Sequence, residues 1–277
     1  MGQIVGVFAT SHAPGITGFP ERADDAQRRH VEEGFAELAR RMAELRPDAI
    51  VAVSVEHFTN FFLNNLPAFA IGTADSYLGP VTAEMADFLR VPQHKYPGHA
   101  ELANHLYRFA LANQFDPALV AGGFAFDENF CVPLRHLDPE SVVPLVPIIV
   151  NGVNPPFPTV RRCYAFGQML RAAIEAQSLA ERVVVLGTGG LSHWVGMPES
   201  GTINEEFDRD FLNRLGSGDP DQLTALTDEE INRAGNGAHE IRPWVVAAGA
   251  AGVGFDTLAY AAVPAWLTGT AVAAARL

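Results

Sequence analysis

The sequence predicts a layered α/β fold, α/β/α, with a central sheet that is mixed or mostly parallel. Short apolar runs, Ala49-Ile50-Val51-Ala52-Val53-Ser54-Val55, Val142 to Val150 and Val183-Val184-Val185-Leu186, read as strands buried on both faces. Stretches with helical spacing alternate with them, which calls for helices covering both sides of a sheet. With 48% hydrophobic and only 18% charged residues, the chain can build a large core.

In chain order, residues 3–9 read as a first strand ending at Thr10-Ser11-His12-Ala13-Pro14-Gly15. From Asp24 to Leu45, Val31, Phe35, Leu38, Met42 and Leu45 recur at helical spacing. After Pro47 comes the strand 49–55, which runs into Glu56-His57-Phe58. Phe61 to Gly72 reads as a hairpin or paired segment around Asn64-Asn65. Gly98 to Asn113 reads as a helix, Ala118 to Ala121 as a strand, and Phe126 to Leu134 as a loop. The strand at 142–150 leads into the proline-rich Asn154 to Pro158, a helix over Thr159–Gln177 and a return strand over Arg182–Leu186. Gly187-Thr188-Gly189-Gly190 then turns the chain toward Ser192-His193. A polar helical region spans roughly 203–234, and Glu240 to Ala251 reads as an apolar helix with Pro243 in its first turn. Residues 255–263 read as the last strand, the alanine-rich tail beyond Pro264 as loop. No repeat or linker divides the chain, so residues 1–277 are expected to form one domain.

The net charge of −13 argues against nucleic acid and anionic membranes as partners. Two cysteines, Cys131 and Cys163, support neither a disulfide framework nor a cysteine-rich zinc site. With no signal peptide before the first strand and no apolar run of membrane-spanning length, a cytoplasmic protein is expected.

Three strands end in a histidine: Ser11-His12, Glu56-His57 and Ser192-His193. If those strands share direction, the histidines meet at one rim, where α/β sheets bind ligands. Gly237-Ala238-His239-Glu240, at a helix start, brings a carboxylate to the same place. Two imidazoles and one carboxylate on one face of a metal make the triad of non-haem Fe(II) oxygenases, and a third, unligated histidine would serve as acid or base. His239-Glu240 is not a zinc-protease signature, because Pro243 stands where the second ligand belongs. The glycine turn carries neither a dinucleotide fingerprint nor a phosphate loop.

The blocks Ser11-His12-Ala13-Pro14, Glu56-His57-Phe58 with Pro67 to Gly72, Gly187 to His193, and His239-Glu240-Ile241-Arg242-Pro243-Trp244 together resemble the class III extradiol ring-cleavage dioxygenases, the LigB-type superfamily. The similarity runs along essentially the whole chain. Its last block is most similar to the branch acting on dihydroxyphenylpropionate-type substrates. The resemblance implies a LigB-like fold that uses Fe(II) and O2 to open a small aromatic ring, in a homo-oligomer. By position it implies His12, His57 and Glu240 as metal ligands and His193 as the acid–base residue.

One departure stands out. Where the family commonly carries Asp-His-Gly, this chain has Asp127-Glu128-Asn129. Glu128 is therefore a second catalytic candidate: it donates a proton only if burial or a neighbouring negative charge raises its pKa, and when ionised it accepts hydrogen bonds, which would suit an aminophenol, a hydroxylated pyridine or another ring bearing N–H. Arg242 is a candidate for reading a substrate carboxylate, by its proximity to Glu240. Two rival readings use the same fold: a non-catalytic homologous subunit or binding protein, and a zinc-dependent hydrolase or lyase with the same ligands.

Overall fold

The computed structural model describes residues 1–277. Its strands are β1 (Gln3–Thr10), β2 (Ala49–Ser54), β3 (Phe69–Gly72), β4 (Ser76–Gly79), β5 (His94–Pro97), β6 (Ala118–Val120), β7 (Leu145–Val150), β8 (Arg182–Thr188), β9 (Phe255–Val263) and β10 (Thr268–Ala275). Eight of them form one sheet in the order β6-β3-β7-β2-β8-β1-β10-β9, while β4 and β5 pair separately. The central β7, β2, β8 and β1 are mutually parallel. β3 runs antiparallel to β7, and β10 antiparallel to both β1 and β9, so the sheet is mixed around a parallel centre.

Alternation along the central strands divides the interior into two cores. Val7, Val51, Val53, Val183 and Val185 face one way, under the helices Ala100–Ala112, Val160–Glu175 and Arg242–Ala251. Phe8, Ile50, Ala52, Val184 and Leu186 face the other, under Asp25–Leu45 and Glu128–Leu137. The layered α/β/α expectation is met, because strands apolar at every position can only be buried on both sides. The long Asp25–Leu45 helix starts where Asp24 accepts bonds from the Ala26 and Gln27 amides. No helix is long and apolar enough to cross a membrane.

Several elements differ from the sequence expectation. The stretch Phe126–Leu134, expected as loop, holds most of the helix Glu128–Leu137, which Asp127 caps by accepting from the Asn129 amide. Pro133 inside it reads as a breaker but is tolerated, because the Asn129 carbonyl it leaves free takes the Thr188 hydroxyl at 2.7 Å. The tail beyond Pro264 is a strand rather than a loop. β10 inserts between β1 and β9, where its small alanines fit against a fully covered sheet. The turn around Asn64-Asn65 is a single bridge between Phe62 and Asn65, and β3 finds its partners in β6 and β7 instead. The region 203–234 holds three helices, Glu205–Ser217, Pro220–Thr224 and Asp228–Asn232.

Candidate active site

β8 lies between β2 and β1, and Thr188 is paired with Thr10 on one side and Ser54 on the other. The three strands therefore end in one row, and the chain leaving each of them enters the same rim. His12 follows β1, His57 follows β2, and His193 follows β8. Glu56 is buried and accepts bonds from the Thr59 and Asn60 amides at 2.8 and 2.7 Å, which folds the loop behind His57 tightly.

Glu240 belongs to the short 3-10 turn Asn236–Ile241, just before the Arg242–Ala251 helix. Gly189 lets that turn reach the sheet, since a Cβ there would sit 2.0 Å from the Glu240 carbonyl oxygen. The Trp244 indole donates to the Gly189 carbonyl at 3.0 Å and locks the contact. The Gly190 amide donates to Glu240 Oε2 at 2.7 Å, which fixes the carboxylate's orientation.

His12 Nε2 lies 3.1 Å from Glu240 Oε2, and His57 Nε2 lies 3.4 Å from Glu240 Oε1. The donor atoms of His12, His57 and Glu240 all fall within 4.8 Å of one another. The other ring nitrogens decide the tautomers. The Thr188 hydroxyl spends its proton on the Asn129 carbonyl, so at 3.0 Å from His12 Nδ1 it accepts from that Nδ1–H. His57 Nδ1 donates to Asp127 Oδ1 at 3.2 Å, while Asp127 Oδ2 accepts from the His57 amide at 2.9 Å. Both imidazoles thus turn an Nε2 lone pair toward Glu240. His193 has the same tautomer, because its Nδ1 donates to the Leu191 carbonyl at 2.8 Å and its Nε2 faces Glu240 Oε1 at 3.4 Å.

Lone pairs aimed at a carboxylate repel it unless a cation lies between them. His12 Nε2 is buried without a hydrogen-bond partner. Adjacent ligands on a metal at bond lengths of about 2.1 Å sit about 3 Å apart, close to the spacings found here. With no cation bound, burial raises the Glu240 carboxyl, but His193 and His12, when protonated, outweigh it and hold Glu240 well below the usual range. Burial lowers His57, and the carboxylates of Glu128 and Asp127 more than reverse that, so in the metal-free site a proton takes the place a metal cation would fill. Three carboxylates converging on imidazoles, with no Lys or Arg in the lining, form a donor set that fits a divalent metal ion.

The pocket over this set has a volume of about 240 Å³, and Glu128, Pro14, Trp194, Val195, Trp266 and Leu267 contribute to its lining. Glu128 faces the cavity: Oε1 lies 3.4 Å from His57 Nδ1, and Oε2 is buried without a partner. Arg242 does not reach the cavity, contrary to the sequence expectation. Its guanidinium is fully buried, donates to the Pro158 carbonyl at 2.8 Å and to Asp228, and lies over the Phe157 ring. Having no open donor face, it cannot read a substrate. His239 stacks on Phe157 and bonds Asn232, so the structure uses it for packing.

Thr188, Asn129 and Asp208 were not singled out in the sequence. Asp208 is buried and accepts from the Ser192 amide, the Ser192 hydroxyl and the Tyr260 hydroxyl at 2.8, 2.9 and 3.0 Å, holding the turn that delivers His193. Each acts across a long sequence separation that no local pattern records.

Comparison with known proteins identifies the family of the chain. The family model described as the catalytic LigB subunit of aromatic ring-opening dioxygenase matches residues 6–271. A 2,3-dihydroxyphenylpropionate/2,3-dihydroxicinnamic acid 1,2-dioxygenase of Cupriavidus necator is 28% identical, covering 94% of this chain and 95% of its own. A gallate dioxygenase of Pseudomonas putida is 36% identical over 55% of this chain and 45% of its own. The crystal structure of an uncharacterized protein from Escherichia coli K12 superposes with a TM-score of 0.61 at 16% identity, over 97% of this chain and 98% of that one, and shares the fold. The chain belongs to the LigB family of catalytic subunits of aromatic ring-opening dioxygenases, and it is an extradiol ring-cleavage dioxygenase.

Proposed function

We propose that the protein opens a catechol-like single ring with Fe(II) and O2, holding the metal by His12, His57 and Glu240. The observation that carries this reading is the pair of Nε2 lone pairs and the carboxylate turned toward one point, each fixed from behind by Thr188, Asp127 or the Gly190 amide. Bound there, Fe(II) supplies Lewis acidity toward ring hydroxyls and reactivity toward dioxygen.

The remaining steps belong to the chain. With His12 and His57 given to the metal, His193 is the imidazole left at the rim, and its Nε2 takes the proton from a ring hydroxyl as the ring docks. The same nitrogen returns that proton as the ring opens. Its place is fixed by Nδ1 on Leu191 and by the Ser192–Asp208 clamp, so reactant and base meet already oriented. Trp194 and Trp266 line the approach and keep bulk water from the reacting face. The cavity is smaller than the ~300–1,000 Å³ of drug-sized clefts, which suits one aromatic ring.

Glu128 sets a finer preference. Its carboxyl group lines the cavity, and when ionised it accepts from a ring carrying N–H, such as an aminophenol or hydroxylated pyridine. The reading includes one catalytic domain over residues 1–277 and a cytoplasmic homo-oligomer.

Anaerobic reconstitution with Fe(II), followed by oxygen uptake against catechols, aminophenols and dihydroxypyridines, tests the proposal. It requires oxygen uptake coupled to a ring-opened product and abolished by chelation. Full activity after chelation, or turnover without oxygen, contradicts it. The latter outcome would favour the hydrolase or lyase alternative.

A further inference from the structure

Both named relatives act on acids by their names, yet this pocket holds nothing that reads a carboxylate. Its lining contains no Lys or Arg, and the nearby Arg242 is committed to Pro158 and Asp228. The charged groups facing the cavity, apart from the histidines, are the carboxyls of Glu128 and Glu240. Beyond them the wall is mostly apolar, and the two hydroxyls that join it, Ser200 and Thr268, donate to the Trp194 and Gly269 carbonyls. Trp194, Val195 and Gly196 come from the segment after His193, while Trp266 and Leu267 come from the turn before β10. Val195 is 58% exposed and Leu267 52%, so the apolar surface continues to the mouth of the cavity. Gly15 holds the Trp266 ring in place, since a Cβ there would sit 2.2 Å from the indole Cδ1.

We infer that the ring substrate carries an uncharged, apolar substituent lying along Val195, Trp266 and Leu267, and that the site discriminates against rings bearing a carboxylate side chain. This rests on the ring-cleavage reading and names its substrate class. An anionic substituent at this mouth would lose hydration against indole and aliphatic surface and gain no cation in return. It would also meet the carboxyl of Glu128, the one lining carboxyl whose charge is not offset by the metal. An alkyl substituent of equal length removes apolar surface from water at the same place.

The matched pair 3-propylcatechol and 3-(2,3-dihydroxyphenyl)propionate differs only in methyl against carboxylate at the end of the chain. Two of the three tryptophans, Trp194 and Trp266, line the cavity, so quenching of intrinsic fluorescence reports binding directly. Titrated anaerobically into the Fe(II)-loaded protein, the propyl compound should bind tighter by on the order of 10–100-fold. Val195→Arg should narrow that ratio at least about tenfold, by offering the carboxylate a partner and by taking apolar wall away from the propyl chain. Equal or tighter binding of the propionate overturns the inference, as does an unchanged ratio in a Val195→Arg protein that retains its iron. Binding of neither ring to iron-loaded protein overturns the ring-cleavage reading itself, an outcome distinct from a preference for the acid.

Discussion

Gly237 is the position where one added carbon tests the placement of the proton acceptor. A Cβ built there would stand 2.1 Å from His193 Nε2, 2.3 Å from Cδ2 and 2.5 Å from Cε1. Carbon and ring atoms in contact need about 3.5 Å, so the imidazole must retreat by more than an ångström. It has little room to do so. On its other side a Cβ on Gly190 would sit 2.7 Å from Cε1, and Nδ1 is tied to the Leu191 carbonyl. The Gly237 amide also donates to the His193 carbonyl at 3.1 Å, so ring and backbone are gripped together. A misplacement of ~1 Å costs about 10²-fold in rate, and complete loss of a general base 10²–10⁴-fold. Gly237→Ala should therefore lower kcat by about 10²-fold or more and approach the value for His193→Ala. Both variants should still bind metal, because neither change touches His12, His57 or Glu240. Crowding of this kind costs about 1–3 kcal/mol, so a drop in Tm of several degrees should accompany it. Oxygen-uptake kinetics on metal-quantified protein is the assay. A kcat within about threefold of wild type would refute the role given to the His193 ring.

Thr188→Val keeps the shape but removes the acceptor behind His12 Nδ1. Metal affinity should fall about 10–100-fold, measured by competition with a chelator, and saturating metal should restore much of the turnover. Glu128→His should shift preference away from rings bearing N–H toward plain catechols, and equal kcat/KM ratios in both proteins would remove Glu128 from specificity. Asp208 gives a prediction about stability. Burial raises its carboxyl to about 6, against the lowering by its bonds from Ser192 and Tyr260. The folded protein thus binds this proton more tightly than the unfolded chain, whose aspartate titrates near 4. This contribution to stability is fully present below about pH 4 and is lost as pH rises through about 6, by on the order of 2–3 kcal/mol. The stability of wild type relative to Asp208→Asn, at matched metal loading, should decline over that window, and a flat difference would contradict the assignment.

Much of this architecture could be read in the chain because parallel strands buried on both faces have no polar positions to confuse with helix. Val51, Val53, Val183 and Val185 announce such strands, and their shared direction made convergence of His12, His57 and His193 a consequence of topology. What stayed hidden was long-range or locally contradictory. Pro133 masked the Glu128–Leu137 helix, whose tolerance depends on a hydroxyl 55 positions later in β8. Half of the β10 strand is alanine, a residue depleted in strands, and a glycine stands near its start, which weakens the signal of Thr268, Thr270 and Val272. The partners that fix the tautomers, Thr188 and Asp127, become visible only when the strand ends are placed side by side. Arg242 shows the opposite error: two positions from Glu240 in sequence, it is spent on Pro158 and Asp228.

The account stands on His12, His57 and Glu240 enclosing a single ferrous ion while His193 remains free. Iron content after anaerobic loading and desalting, compared among wild type, His12→Ala, His57→Ala, Glu240→Ala and His193→Ala, tests this most directly. Wild type and His193→Ala should each retain one iron per chain, and the other three little or none. Full retention by any of those three, or loss of iron from a folded His193→Ala protein, would contradict the assignment.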